Sequence, residues 1–294
     1  MILITGATGF VGQALIQQLV SEGHKIRALA RHIPARHAPE GVQYVAGDIQ
    51  IPSSLQTAME GVTCVIHLVG ILAEQRHRSF EEIHHQGTLN VLQAAKQAGV
   101  KRFLHMSSLG TRANAVARYH QSKWQAECAV RESGLDYTIF RPSVIFGPGD
   151  NFVNQFARMI RFSPMVPILG DGQNRMQPIA VGDVARCFAI ALTDRQTLGQ
   201  TYELGGPQQL TFQEIMENIL DALHKKRFKL RLPFALLKLE GKIFEVLLSN
   251  PPLTYDQMLM AQEHNVCAAG TSLPTPFTFT PLAFAEGIRR YLTP

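Results

Sequence analysis

The run TGATGFVG, residues 5–12, sets Gly6, Gly9 and Gly12 three apart, between the short apolar run MILIT and the helically spaced FVGQALIQQLVSEG. A first glycine can take a backbone conformation closed to other residues. A second lets main chain come close to a ligand, and a third lets a helix pack tightly on a strand. KIRALAR follows as a second apolar run, so strand, glycine turn, helix and strand fall within about thirty residues, the length of a βαβ unit. In that context the turn reads as a dinucleotide pyrophosphate site. Thr8, Phe10 and Val11 lie beside the glycines, and the free amides at the start of the helix, near Phe10 and Val11, face the phosphates.

The alternation continues. VQYVAG, VTCVIHLVG, KRFLHMSS and LDYTIFRPSVIFG read as strands. Between them lie a short helix from Pro52 to Met59, FEEIHHQGTLNVLQAAKQAG closed by Gly99, and ARYHQSKWQAECAVRESG ending at Gly134. Repeated β-α units with nearly continuous apolar strands predict an α/β fold with a Rossmann-type, doubly wound parallel sheet covered on both faces. Beyond about Asn151 the regularity fades and prolines multiply (Pro164, Pro167, Pro178). TYELGG then reads as a strand, LTFQEIMENILDALH as a helix, and LPFALLKLEGKIFEVLL as a second helix beginning at its proline. The expected organisation is a dinucleotide-binding domain over 1–150 and a smaller C-terminal α/β lobe over 151–294 whose pieces interleave with the first.

The end of the second strand bears on which dinucleotide is bound. An acidic residue there suits the ribose hydroxyls of NAD, whereas KIRALAR ends on Arg31, with Arg27, Arg36 and His37 nearby. A guanidinium suits a 2′-phosphate, so NADP(H) is expected in preference to NAD(H).

TGATGFVG together with Tyr119-His120-Gln121-Ser122-Lys123, a Y-x-x-x-K run, resembles the extended and atypical short-chain dehydrogenase/reductases, the NAD-dependent epimerase/dehydratase group. The likeness runs on through Gly47-Asp48, HLVG (67–70), HMSS, RPSVIFGPGD (141–150), VGDVA (181–185) and YELGGPQQLTFQEI (202–215). NPPLTYDQMLMAQEHNV is similar to the subgroup that contains subunit 9 of respiratory complex I and its bacterial relatives. The resemblance implies that Asp48 and Ile49 contact the adenine and that Leu68, Val69 and Gly70 contact the ribose. It also implies cofactor contacts from Met106, Tyr119 and Lys123, with Pro142 and Val144 against the nicotinamide.

Four residues apart on a helix, Tyr119 and Lys123 share one face, and an ammonium there favours the phenolate. Tyr119 could then exchange a proton with a substrate hydroxyl while hydride moves to or from the nicotinamide, Lys123 bonding the ribose and Ser108 holding the substrate oxygen. Three departures weaken the step from binding to catalysis. Only ten residues separate Ser108 from Tyr119, the family's asparagine ahead of the fourth helix's G-T pair is His84, and RMQPIAVGD lacks the aromatic-His pattern of sugar-nucleotide enzymes.

Two functions therefore stand side by side. One is an oxidoreductase or epimerase-like enzyme acting on a small carbonyl or alcohol of unknown identity. The other is a non-catalytic NADP(H)-binding accessory or assembly factor of a quinone-linked, complex I-like membrane assembly. By the resemblance, helices His84–Ala98 and Tyr119–Arg131 could pair in a homodimer.

The remaining features are mostly set aside. His77, Glu81, His84 and His85 share a helix face, but no cysteine or second carboxylate joins them, so no metal site is expected. The four cysteines are scattered and read as free thiols, and a net charge of +5 without a basic block gives no reason to expect a nucleic-acid partner. The glycine motif starts too near Met1 for a leader, and no apolar run reaches membrane-span length, which predicts a cytoplasmic protein. Read as a helix, the basic, amphipathic stretch KKRFKLRLPFALLKLEGKIFEVLL (225–248) could pack on its own domain or lie on a membrane or partner.

Overall fold

The computed structural model describes residues 1–35, 38–75, 78–234, 254–268, 270 and 273–293, which fall into two compact units. The first comprises Met1–Arg141 with Val184–Tyr202, and the second Pro142–Asp183 with Glu203–Pro294.

The first unit is built on β1 (Ile2–Thr5), β2 (Ile26–Ala30), β3 (Val42–Ala46), β4 (Cys64–His67), β5 (Arg102–Met106) and β6 (Asp136–Pro142). They lie in the order β3-β2-β1-β4-β5-β6, each paired in parallel with its neighbours, and β11 (Gln200–Leu204) extends the sheet beside β6. This is the doubly wound α/β fold that the sequence predicts. Every residue of β1 and β4 is buried, as the apolar runs of a sheet covered on both faces require. The crossovers are α1 (Phe10–Ser21), α2 (Ser53–Ala58), α3 (Gly87–Gln97) and α4 (Arg118–Glu132). Leu3, Val65, Phe103 and Ile139 from the strands pack with Val91, Leu92, Ala95 and Val130 from α3 and α4 in one core.

The chain leaves β1 toward β2 and β3 on one side and returns to β4, β5 and β6 on the other. The carboxyl edge above β1 is thus the point where the winding direction switches, the place where open α/β sheets take their ligands. The turn at that edge is held very close. Gly6 has φ +74°, the Gly9 amide donates to the Gly6 carbonyl at 3.0 Å, and a Cβ on Gly12 would lie 2.3 Å from that same oxygen.

Glu127 on α4 is fully buried and bonded by Arg131 at 2.5 Å and by Arg141 of β6 at 2.7 and 2.6 Å. Both guanidiniums lie over the Trp124 ring, so this charged cluster ties α4 to the sheet.

The second unit carries α5 (Val153–Phe162), α7 (Phe212–Ala222) and helix Phe284–Arg289 around a core containing Val153, Ile160, Phe212, Ile215, Phe284 and Ile288, and α6 (Val181–Thr193) begins in it. Its strand pairs are β7 (Ile145–Phe146) with β10 (Ile179–Ala180), β9 (Arg175–Met176) with β12 (Leu210–Thr211), and β8 (Met165–Leu169) with β13 (Phe228–Leu232). The α7 helix starts where the sequence predicts, with Thr211 and Glu214 closing a reciprocal capping box.

One expectation is corrected here. The front of the amphipathic stretch is a strand, because F-K-L-R-L alternates with period two and pairs in register with Met165–Leu169. The helix expected after Pro233 lies outside the described residues.

The Gly12 contact sets a stability test. Replacing Gly12 with alanine drives a methyl into backbone oxygen that has nowhere to move, and should cost about 1–3 kcal/mol in a urea melt. An unchanged midpoint would mean that α1 does not pack on the turn as described.

Candidate functional site

The sheet's carboxyl edge brings together, within the first unit, most of the residues that the sequence singles out. Gly6 to Gly12 follow β1, Arg31 follows β2, and Asp48 and Ile49 follow β3. Leu68 to Gly70 follow β4, while Met106 ends β5 and Ser108 comes just after it. Thr8 and Gly9 are exposed at the mouth of the turn, and Val11 is buried beneath it.

Gly9 differs from its two partners. Its φ of −76° suits any residue, and a Cβ there would meet a single atom, the Gly6 oxygen at 3.2 Å. Backbone strain does not call for a glycine there and the packing demand is milder than at Gly12, and the missing side chain also keeps the space in front of α1 open. The first-turn amides of α1 have no preceding helical carbonyl to bond and no side-chain cap, and so present donors and positive dipole charge to that space. A dinucleotide pyrophosphate fits this cradle on both counts.

Around the turn, Arg27 is not free to serve a ligand: its Nη1 donates to the carbonyls of Ala58 and Glu60. Arg36 and His37 lie outside the described residues. Arg31 is exposed. Sequence reasoning passed over a second guanidinium, Arg78, which is held in the loop after β4 by paired backbone bonds with Gln75. Its Nε is buried without a hydrogen-bond partner, and burial together with the nearby Arg31 charge lowers its pKa, Asp48 opposing. Asp48 accepts from the Gln50 amide, and the Ile49 carbonyl accepts from Asn90.

Tyr119 and Lys123 lie on α4, both buried. The Lys123 ammonium donates to the Met106 carbonyl at 3.1 Å, and a Cβ on Gly70 would come within 3.0 Å of it, so it sits where the loops after β4 and β5 meet. Burial lowers its pKa to about 8, with Glu127 partly opposing. The Tyr119 ring is boxed edge-on by Phe80, His84 and His120, with centroids 5.8, 5.3 and 5.2 Å away. Ser108 is half-buried, with its hydroxyl directed to the Leu109 carbonyl at 3.3 Å.

His84 occupies a π-helical turn, Glu81–Gln86, that leads into α3, and such turns recur at functional sites. Its Nε2 accepts from the Ile71 amide at 2.9 Å, so its proton is on Nδ1, directed to the Ser122 hydroxyl at 2.8 Å, which in turn donates to the Tyr119 carbonyl. Beneath it, Thr5 donates to His67 Nδ1 at 2.6 Å, His67 Nε2 donates to Thr88, and Thr88 donates to the His84 carbonyl. Burial first, then the Lys123 charge, pushes His67 down to about 3 and His84 to about 2, so both are neutral. His105, stacked on His67 at 5.5 Å, is buried with neither ring nitrogen bonded.

His85 pairs with Glu81 at 2.6 Å, and His77 is outside the described residues. Pro142 ends β6, and Val144 packs on the second unit's core. A groove of about 840 Å³ between α3 and α4, lined by Leu89, Trp124 and Cys128 among others, contains none of the site residues. The four cysteines are free thiols. No helix among the described residues is long and apolar enough to cross a membrane.

A parallel, doubly wound sheet with a glycine turn at its switch point and a Tyr-Lys pair beside it defines a class of dinucleotide-fold proteins. Residues 2–205 match the NAD dependent epimerase/dehydratase family, and the chain belongs to it. It is 31% identical to the mitochondrial NADH dehydrogenase [ubiquinone] 1 alpha subcomplex subunit 9 of Arabidopsis thaliana, over 80% of this chain and 61% of that protein. It is likewise 31% identical to the ceramide reductase of Caulobacter vibrioides, over 79% of this chain and 74% of that one. The fold matches a dTDP-glucose 4,6-dehydratase of Streptomyces venezuelae solved with NAD bound, with TM-score 0.73, 21% identity, and coverage of 98% of this chain and 94% of that one.

The buried lysine sets the sign of a pH effect. Its folded pKa lies below the unfolded value, so between pH 8 and 10.5 the unfolded chain binds more protons and stability rises with pH. In denaturant melts, wild type should gain stability relative to Lys123→Met across that window, with the gap constant below it. A gap that stays flat throughout would show that the ammonium is not buried.

Proposed function

We propose that this chain binds NADP(H) at the Gly6–Gly12 turn and acts as an oxidoreductase on a carbonyl or alcohol. The observation that carries the binding is the set of uncapped amides at the start of α1, with Gly9, whose φ needs no glycine, placing no side chain in front of them. Thr8, Phe10 and Val11 would hold the pyrophosphate with the three glycines. Asp48 and Ile49 would border the adenine, Leu68 to Gly70 and Met106 the ribose, and Pro142 and Val144 the nicotinamide. Arg31 and Arg78 supply two guanidiniums for a 2′-phosphate, which supports NADP(H) over NAD(H).

The bound nicotinamide supplies or accepts hydride. Tyr119 holds the proton exchanged with the substrate oxygen at its phenolic oxygen, the Lys123 ammonium favours its phenolate, and Ser108 orients the substrate oxygen. Lys123 is fixed for that role by the Met106 carbonyl. His84 is engaged by Ile71 and Ser122, so it positions α4 rather than replacing the asparagine that the family uses to pass protons to the lysine. Kinship with a ceramide reductase makes long-chain carbonyl compounds part of the substrate class to be tried.

A second reading rests on the rings that enclose Tyr119 and on the missing asparagine: a chain that holds NADP(H) without turnover, as an accessory to a respiratory membrane complex. It draws on the kinship with the complex I subunit. Reduction of short- and long-chain carbonyls with NADPH separates the two. Tyr119→Phe should lower kcat by about 10²–10⁴-fold with NADPH affinity unchanged. Equal turnover by the variant would remove Tyr119 from the chemistry, and tight NADPH binding without turnover on any carbonyl would favour the accessory role.

A further inference from the structure

The second unit exposes large apolar side chains that its own core does not use. Phe162, at the end of α5, is 86% exposed, and Phe228, at the start of β13, is 68% exposed. Met165 and Leu230 are 43% and 38% exposed. These four are neighbours. The Phe228 amide donates to the Pro164 carbonyl at 3.1 Å, and Arg227 Nε donates to the Ile160 carbonyl at 2.9 Å, which fixes the start of β13 against the end of α5. The parallel register then pairs Phe228 with Met165 and Leu230 with Pro167, so the apolar side chains share one face of the two-stranded sheet.

The charges nearby carry one sign. Arg158, Arg161, Lys225 and Lys226 are all exposed, and no ion pair among the described residues engages them. Arg161 and Phe162 sit three and four residues after Arg158, on the same side of α5. Of the α7 carboxylates, Glu217 is bonded to Lys229 and Glu214 caps its own helix, which leaves Asp221 against the cationic group.

We propose that this face docks on an anionic phospholipid surface, with Phe162, Phe228, Met165 and Leu230 entering the headgroup–acyl boundary and the arginines and lysines meeting lipid phosphates. Exposed rings ringed by unpaired long cations suit an interface that is apolar below and negatively charged above, where lysine and arginine stems lie along the apolar layer and their heads stay in water. A protein partner is less well matched, because the centres of protein interfaces are depleted of lysine. The inference is independent of the dinucleotide reading, since no residue of the glycine turn or of α4 takes part.

The full chain, co-sedimented with vesicles of phosphatidylcholine alone or mixed with phosphatidylglycerol, tests this. It should bind the mixed vesicles, lose binding as sodium chloride rises, and leave the neutral ones unbound. A Phe162→Ser, Phe228→Ser variant and a Lys225→Glu, Lys226→Glu variant should each bind the mixed vesicles at least about tenfold more weakly. All four positions are exposed, and circular dichroism melts check that the variants stay folded. Lys96→Glu with Lys101→Glu makes the same change of net charge in the first unit and should leave binding intact.

Several results would overturn the proposal. These are equal binding to neutral vesicles, no binding to either kind, undiminished binding by the patch variants, or an equal loss in the first-unit variant. Concentration-dependent self-association abolished by the patch substitutions, without vesicle binding, would assign the face to a second copy of the chain instead.

Discussion

The contact between the Gly6 carbonyl and the Cα of Gly12 governs how the first unit is assembled. A helix leaving a central strand can lie close to the sheet only if its first turn has no side chain facing the strand's end, and a Cβ at Gly12 would stand 2.3 Å from that carbonyl. The close approach leaves the start of α1 directly above the carboxyl edge at the switch point, with unbonded amides facing outward. The three glycines therefore meet different demands. Gly6 serves the turn's left-handed conformation, Gly12 serves the helix contact, and Gly9, free of backbone strain and in a milder contact with the Gly6 oxygen, also leaves the space in front of α1 open.

Behind that edge the polar groups form two directed chains rather than isolated pairs. One runs from Thr5 through His67 and Thr88 to the His84 carbonyl, and the other from the Ile71 amide through His84 and Ser122 to the Tyr119 carbonyl. Each hydroxyl has one proton to give, so the chains fix the tautomers of both histidines. Both rings are neutral, which leaves the Lys123 ammonium as the cation held beside the Met106 carbonyl. The chains join β1, β4, the π turn and α4, and fix α4 and its Tyr-Lys face relative to the sheet edge.

Much of this architecture was legible in the sequence because it rests on local signals. Buried parallel strands show as unbroken apolar runs, α1 follows its glycine turn, and α7 declares its start through Thr211 and Glu214. What was not legible depends on partners far along the chain. Arg78 attracts no notice until the loop after β4 is folded beside Arg31, and His84 reads as a lost asparagine until Ile71 and Ser122 are seen to claim both of its nitrogens. The strand Phe228–Leu232 reads as part of an amphipathic helix because its apolar residues continue into a helical pattern, whereas pairing with β8 selects the two-residue period. Glu127 gave no sign of its burial because its partners come from both α4 and β6.

As proposed, the glycine turn holds a phosphate-bearing dinucleotide, and Arg31 and Arg78 choose its kind. Calorimetric titration of wild type, Arg31→Ala and Arg78→Ala with NADPH and with NADH tests it directly. Wild type should take up one NADPH per chain, bound at least about tenfold more tightly than NADH, with each substitution erasing most of that preference by weakening NADPH alone. Equal affinity of wild type for the two dinucleotides, or equal losses for both in the variants, would contradict it.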